Sequence, residues 1–308
     1  MTDGFAHETV LLRETVAAVA PHAGGYYADA TAGGGGHSEA VLEASAPDGE
    51  LLAIDRDPAA LEHCRTRLSA FGSRVSFVHG EFADLPALLQ EAGHLRVDGV
   101  IADLGVSSPQ LDDPERGFSF RAGGPLDMRM DPTRGETVAE LIARLSDTEL
   151  ADVIYRYGEE RRSRPIARSI RRAHEAGELS STDDLRRAIV RVTGPRRGGI
   201  DPATRTFQGL RIAVNGELSQ LRTLLDVGPD LLVDGGVIAI IAFHSLEDRL
   251  VKHGFRDDDR LQVDNRRPTM ASEQEQADNP RARSAKLRWA RRVARGQEPP
   301  AEDAEVMS

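Results

Sequence analysis

The chain has 308 residues, of which 40% are apolar and 29% are charged, so it can bury a sizeable core and is not a globally disordered protein. Its formal net charge of −11 argues against a protein that coats nucleic acid through bulk charge. Cys64 is the only cysteine, which excludes intrachain disulfides and cysteine-based zinc sites. The sequence shows no export signal and no apolar run of membrane-spanning length, so we expect a cytoplasmic protein.

The first hundred residues alternate between short apolar runs and helix-like stretches. This pattern predicts strands at 26–31, 50–54, 75–79 and 97–103, and helices at 36–46, 58–71 and 84–92. Strands and helices that alternate with short links indicate a parallel sheet with helices on both faces. The expected fold class is therefore α/β.

The alternation stops after residue 103. Residues 107–135 are rich in glycine, proline and aspartate without a clear period, and residues 138–192 have a helical pattern. A long helix is predicted at 207–225, a buried strand at 236–243 and a last edge strand at 284–293. The buried strand at 236–243 most simply belongs to the same sheet as the four strands predicted before residue 104.

These expectations divide the chain into one interrupted domain and an insertion. The α/β domain takes residues 1–108 and 213–295, and a helical insertion for substrate recognition takes residues 109–212. Residues 296–308 form an acidic tail, which we expect to be disordered.

A glycine-rich segment at 29–37 follows the first predicted strand. Glycines at a strand-to-helix turn let a ligand approach the backbone, and open parallel sheets bind ligands at the carboxyl ends of their strands. A phosphate-binding P-loop would need Lys-Ser or Lys-Thr where His37 and Ser38 stand, and a dinucleotide loop would need glycine at position 38. Asp29 followed by alternating small residues fits a loop for S-adenosylmethionine better, with Asp29 organising the loop.

Two further residues near strand ends suit the same ligand. Asp55 ends the second predicted strand about 20 residues after the glycines, which is the place of a carboxylate that accepts both ribose hydroxyls. The alternative is that Asp55 caps the helix that follows. Phe82 follows the third strand and is either a contact of the adenine ring or a core aromatic.

Asp103 ends the fourth predicted strand, where a methyl acceptor would meet the cofactor. Methyl transfer mainly requires orientation of the two reactants. An exocyclic amine on a base is a poor nucleophile because its lone pair is delocalised, and hydrogen-bond acceptors aimed at its protons help to localise that pair. Asp103 is thus the candidate catalytic residue, and a cofactor-side hydrogen bond without a role in the chemistry is the equal alternative. No metal site is expected.

Two stretches of the acidic chain are locally basic. Twelve arginines stand against six acids between Arg156 and Arg197, and residues 281–295 hold seven cations and no acid. Arginine forks suit phosphate contacts. The alternative is a solvated helix surface in an arginine-rich chain. Both stretches nevertheless favour a local anionic partner.

Ten motifs give the chain a close resemblance to a known family. They lie at 7–14, 29–37, 53–57, 103–112, 116–120, 125–131, 157–161, 204–208, 243–249 and 279–284. With these motifs the chain resembles the MraW/RsmH family of bacterial S-adenosylmethionine-dependent methyltransferases, which methylate N4 of a cytosine in the decoding centre of small-subunit (16S) ribosomal RNA.

The resemblance implies a class I S-adenosylmethionine-dependent methyltransferase fold, which is Rossmann-like with a mostly parallel sheet, and an all-helical insertion. It implies that S-adenosylmethionine contacts Gly35, Gly36, His37, Asp55, Phe82, Asp103 and Gln110. The implied partner is small-subunit ribosomal RNA or the assembled small subunit, with a homodimer left open and no membrane. Two alternatives remain: a cofactor-binding ribosome-assembly factor, and a methyltransferase of another nucleic acid or a small molecule.

Overall fold

A computed structural model describes residues 9–120, 123–195, 199, 201–264 and 266–294. The chain divides into two compact units. The first comprises Met1–Gly105 and Ser219–Ser308, and the second, which we call the helical unit, comprises Val106–Leu218. The acidic tail predicted at 296–308 lies outside the described residues. None of the helices in the described ranges is long and apolar enough to cross a bilayer.

The helices and strands are labelled in chain order. The strands are β1 (Tyr26–Asp29), β2 (Glu50–Asp55), β3 (Val75–His79), β4 (Val97–Asp103), β5 (Leu232–Ala242), β6 (Leu261–Val263), β7 (Thr269–Met270) and β8 (Lys286–Arg292). The helices are α1 (Leu12–Val19), α2 (Gly36–Ala44), α3 (Pro58–Arg67), α4 (Leu85–Glu91), α5 (Ser108–Asp112), α6 (Val138–Arg144), α7 (Asp147–Gly158), α8 (Ser163–Glu175), α9 (Thr182–Thr193), α10 (Thr204–Asn215), α11 (Glu217–Leu231), α12 (Ser245–Arg256) and α13 (Glu273–Asp278).

The eight strands of the described residues form one sheet in the first unit. Its order is β3-β2-β1-β4-β5-β8-β6, and β7 pairs with β8. The first five strands are parallel, which confirms the expected mostly parallel α/β sheet. The prediction of an edge strand at 284–293 is wrong, because β8 lies inside the sheet, antiparallel to β5, β6 and β7. Strands of three and two residues, such as β6 and β7, are too short to show an alternating pattern.

Two apolar clusters cover the two faces of this sheet. In β5, Ile238 and Ile240 belong to one cluster, whereas Val237, Ala239 and Ile241 belong to the other. Successive side chains of a strand point to opposite faces. A strand that is covered on both faces therefore needs the continuous apolar run that made β5 recognisable.

The helices differ from the predictions in two respects. The sequence predicted no helix at α1, α5, α12 or α13. The single helix predicted at 207–225 is wrong, because α10 ends at Asn215 and α11 begins at Glu217. Gly216, between them, has a φ of 60° and caps the C-terminus of α10. A residue in the left-handed conformation ends a helix, and glycine adopts it without a steric cost.

The helical unit has its own core, to which the irregular segment after α5 contributes. Phe118, Leu126 and Met128 are buried there together with side chains of α6 to α10. The side chain of Asn215 holds the backbone of the same segment, because its Nδ2 donates to the carbonyl of Met128 and its Oδ1 accepts from the N–H of Met130. The described part of the segment is thus packed, although its sequence has no period.

The close contact of α7 and α10 gives a stability prediction. A Cβ on Gly158 would overlap the carbonyl oxygen of Arg205, a backbone atom that moves only with its helix. We expect Gly158→Ala to lower the free energy of unfolding by about 1–3 kcal/mol, the usual cost of overpacking. Gly228→Ala is the control, since the added carbon there meets only side-chain ends of Ile238 and Leu224. Chemical denaturation that finds Gly158→Ala as stable as the unchanged protein would contradict the contact.

Candidate cofactor and active site

The glycine turn connects β1 to α2 at the carboxyl edge of the sheet. Gly33 and Gly35 have φ angles of 50° and 79°, both in the left-handed region. Gly35 is also the N-cap residue of α2, and a Cβ there would lie 3.1 Å from Sγ of Cys64. These positions therefore require glycine, and the turn presents bare backbone to a ligand.

Asp29 holds both ends of this turn. Its carboxylate is buried and accepts a hydrogen bond from the N–H of Thr31 at 3.2 Å and from the hydroxyl of Ser38 at 2.7 Å. These contacts confirm the predicted role of Asp29 in organising the loop. Burial raises the pKa of Asp29 to about 6, although its two hydrogen bonds lower it.

Asp55 fixes the turn from the neighbouring strand. Its Oδ2 accepts from the N–H of Gly33 at 2.8 Å, and its Oδ1 accepts from the N–H of Asp57 at 2.8 Å. The alternative that Asp55 caps the next helix is wrong, because the N-cap of α3 is Asp57, which accepts from Ala59. Burial raises the pKa of Asp55 to about 6. Each carboxylate oxygen can accept a second hydrogen bond, so Asp55 can still bind ligand hydroxyls.

Asp103 stands at the end of β4, close to the same turn. Its N–H donates to Oγ1 of Thr31 at 2.6 Å, and its Oδ2 lies 3.8 Å from Nδ1 of His37. Its Oδ1 is buried, and no described residue donates a hydrogen bond to it. A buried acceptor without a donor costs about 1–3 kcal/mol and therefore calls for an explanation. A ligand that brings a donor or a positive charge would supply one.

The electrostatics at this edge favour a cationic ligand. β1 lies between β2 and β4 in the sheet, so Asp29, Asp55 and Asp103 end three adjacent strands. Burial raises the pKa of Asp103 well above its ordinary range, and the negative charges of Asp29 and Glu247 raise it further. An approaching cation would stabilise the ionised form of Asp103.

Sequence reasoning assigned no role to Glu247, which the structure places near Asp103. β5 runs beside β4, with Ile241 opposite Asp103. Glu247, in the first turn of α12, is buried, and its Oε2 accepts from the N–H of Phe243 at 2.9 Å. The sequence does contain one indication of Glu247. It stands three residues after the N-cap residue His244, the spacing of a capping box.

The remaining residues that were predicted to contact the ligand lie in three parts of the structure: the start of α2, the apolar core and the helical unit. Gly36 and His37 open α2, and His37 is buried. Phe82 is buried in the apolar core after β3. Gln110 belongs to the helical unit, where its Oε1 accepts from the N–H of Ser107 at 3.0 Å. The structure therefore gathers Gly35, Gly36, His37, Asp55 and Asp103 at one turn.

Comparisons with known proteins identify the family of the chain. The sequence profile of the MraW methylase family matches residues 4–293. A protein named Ribosomal RNA small subunit methyltransferase H, from Sorangium cellulosum strain So ce56, is 58% identical over 94% of this chain and 92% of its own length. Its namesake from Synechococcus elongatus is 53% identical over 94% of this chain and 95% of its own. The structural alignment with the crystal structure of a putative rRNA-methylase from Clostridium thermocellum includes 93% of this chain and 98% of the other chain, with a TM-score of 0.46 and 11% sequence identity.

The residues present fit the cofactor of that family. S-adenosylmethionine carries a positive charge on sulfur and a second one on its amino group, and it carries two ribose hydroxyls. The orphaned Oδ1 of Asp103 matches a donor or a cation, Asp55 has acceptor capacity for hydroxyls, and the left-handed glycines leave the backbone accessible. The chain therefore belongs to the MraW methylase family and is an S-adenosylmethionine-dependent methyltransferase built on a mostly parallel α/β sheet.

Proposed function

We propose that this enzyme transfers the methyl group of S-adenosylmethionine to the exocyclic N4 of a cytosine in the decoding centre of small-subunit ribosomal RNA, in the cytoplasm. The names of the relatives support small-subunit ribosomal RNA as the substrate, and the resemblance of the motifs supports the cytosine amine. The observation that supports the proposal most strongly is the carboxylate of Asp103. In this methylase-family chain its Oδ1 is buried beside the glycine turn and accepts no hydrogen bond from a described residue.

We assign the cofactor contacts from the same edge of the sheet. Gly35, Gly36 and His37 present backbone and the start of α2 to the methionine part of the cofactor. Asp55 accepts the ribose hydroxyls. We keep Phe82 as a contact of the adenine ring and Gln110 as a further cofactor contact, both as implied by the family resemblance.

S-adenosylmethionine supplies a methyl group bonded to positively charged sulfur, which makes that carbon electrophilic. The residues of the chain have to orient the amine and to stabilise the positive charge that develops on its nitrogen until the proton leaves. During transfer a nitrogen–carbon bond forms as the carbon–sulfur bond breaks, and the proton then leaves the amine for water. Asp103 needs no strong basicity for this, because an acceptor that orients the amine or the cofactor is sufficient.

Cofactor binding should depend on pH through Asp103. In the free protein the raised pKa keeps this carboxyl protonated to higher pH, and a bound cation lowers that pKa again. Binding therefore releases a proton, and the affinity rises with pH until the pH passes the pKa of the free protein. Below about pH 6, protonation of Asp29 and Asp55 weakens binding further.

Calorimetry in two buffers of different protonation enthalpy, repeated across the range from pH 5 to pH 8, measures this proton directly. We expect net proton release by the unchanged protein where Asp103 is still protonated, and less release by Asp103→Asn. An affinity for S-adenosylmethionine that stays constant between pH 5 and pH 8 would contradict the assignment.

The function is tested with labelled S-adenosylmethionine and small ribosomal subunits from cells that lack the protein. We expect the label to enter small-subunit RNA and not large-subunit RNA or DNA. Preferential labelling of DNA would favour the alternative of a methyltransferase for another nucleic acid. A homodimer is a separate proposal, which sedimentation of the purified protein tests.

A further inference from the structure

Helix α8 separates an apolar face from a basic face. Ile166 and Ile170 are fully buried in the core of the helical unit. The hydroxyl of Ser169, on the same side, donates to the carbonyl of Ala188 in α9 at 2.7 Å. Packing and this hydrogen bond fix the orientation of α8, so the direction of its opposite face is fixed as well.

That opposite face carries Arg164, Arg168 and Arg172, which are all exposed. Residues four apart lie on one side of a helix, so the three side chains form a stripe about 12 Å long. We call it the α8 stripe. Within the described part of the chain, no carboxylate forms an ion pair with any of the three. Arg161, just before α8, is exposed in the same way.

Other arginines of the first basic stretch differ from the stripe because an acid already neutralises them. Their ion pairs are Arg156–Asp152, Arg171–Asp147, Arg186–Asp201, Arg187–Asp184 and Arg191–Glu178. A phosphate that approached one of these arginines would have to displace the carboxylate that already binds its guanidinium group. Among the described arginines of this stretch, those without an ion pair are therefore the three of the α8 stripe and Arg161 and Arg162, which directly precede α8.

In the second basic stretch, which lies in the first unit, the four cations of β8 all pair with acids. Lys286 and Arg288 share Asp248, Arg291 pairs with Asp264, and Arg292 pairs with Asp230. Arg288 and Arg292 are buried as well. Most cations of β8 thus serve the structure of the sheet, which leaves the α8 stripe as the stronger candidate for an anionic partner.

We propose that the α8 stripe is a docking surface for the phosphate backbone of the RNA substrate; the proposal rests on the proposed function in taking that substrate to be RNA. Guanidinium groups bind phosphate oxygens in a bidentate manner. A chain of net charge −11 repels a polyanion over long distances, so attraction has to come from a local group of cations without bound carboxylates. An exposed stripe on a packed helix meets this requirement.

Two triple variants with the same change of charge test the stripe. The first is Arg164→Gln, Arg168→Gln and Arg172→Gln. The control is Arg156→Gln, Arg187→Gln and Arg191→Gln, which removes three exposed arginines of the same unit that already pair with acids. Circular dichroism and thermal unfolding establish that both variants fold. The probe is a fluorescent RNA hairpin with the decoding-centre sequence, titrated over a range of salt concentrations.

We expect the stripe variant to bind this hairpin at least tenfold more weakly at ~0.1 M salt, and the slope of log affinity against log salt to fall by about 2, the loss of three phosphate contacts. The control should keep the slope of the unchanged protein. If both triples reduced the slope equally, the net charge of the helical unit and not the stripe would bind RNA, and the proposal would be wrong.

Methylation kinetics separate the failure of this proposal from that of the proposed function. We expect the stripe variant to raise KM for small subunits while kcat and cofactor affinity stay unchanged. If the unchanged protein methylates subunits and the stripe variant keeps its KM and salt slope, the stripe is refuted and the function stands. If KM rises but hairpin binding is unchanged, the stripe contacts a ribosomal protein and not RNA. If the unchanged protein methylates no ribosomal RNA, the function fails, and the hairpin titration still decides on the stripe.

Discussion

Asp103→Asn is expected to reduce turnover at saturating cofactor at least tenfold. The substitution keeps the size of the side chain but removes its charge and replaces one acceptor oxygen by a donor. The buried Oδ1, which has no donor among the described residues, is the atom we assign to the amine or to the cofactor's cationic end. An amide there cannot offset developing positive charge on the attacking nitrogen, so the loss should appear in kcat.

The measurement is the single-turnover rate of methyl transfer to small subunits with each variant saturated in S-adenosylmethionine. Asp234→Asn is the control, since Asp234 is an exposed aspartate near the start of β5, at the end of that strand opposite to the one beside Asp103. We expect this control to react at the unchanged rate. If Asp103→Asn also reacted at that rate, Asp103 would have no part in the chemistry, and only a binding role could remain.

Asp55→Ala is expected to weaken S-adenosylmethionine binding by about 1.5–3 kcal/mol, the value of hydrogen bonds to a charged group. That corresponds to about 10- to 150-fold in the dissociation constant. Two effects contribute: the ribose hydroxyls lose their acceptor, and the N–H of Gly33 loses the carboxylate that holds the glycine turn.

Calorimetry of S-adenosylmethionine and of its demethylated product distinguishes a ribose contact from a methyl contact, because both ligands contain the ribose. We expect Asp55→Ala to weaken both equally. Asp57→Ala is the matched control, since Asp57 caps α3 and its loss should reduce stability rather than affinity. Unchanged affinity in Asp55→Ala would contradict the ribose assignment.

Local patterns were sufficient to predict the parallel part of the sheet and its glycine turn. Strands β1 to β5 are short apolar runs bounded by turn residues, and a buried parallel strand needs little else to be recognised. The positions of Asp29, Asp55 and Asp103 at strand ends followed from those runs. Strand β8 was predicted, but its interior place was not, because its partners β6 and β7 carry almost no pattern.

The properties that decide the chemistry depend on tertiary contacts. No sequence pattern indicates that Oδ1 of Asp103 lacks a donor, or that Glu247 lies near it at the start of the helix that follows β5. The two basic stretches look alike in sequence, yet Asp248 and Asp230, which are distant in the chain, neutralise much of the second. Only the folded structure therefore shows which arginines are not paired with an acid and can bind an anionic partner.

We propose that the enzyme transfers a methyl group to a cytosine amine of small-subunit ribosomal RNA. This proposal is tested most directly by incubating small subunits from cells lacking the protein with the purified enzyme and labelled S-adenosylmethionine, and then digesting the RNA to nucleosides for mass spectrometry. We expect labelled N4-methylcytidine, mapped to one decoding-centre nucleotide and strongly reduced with Asp103→Asn. Label in 5-methylcytidine, in a ribose methyl group or in large-subunit RNA alone would contradict it.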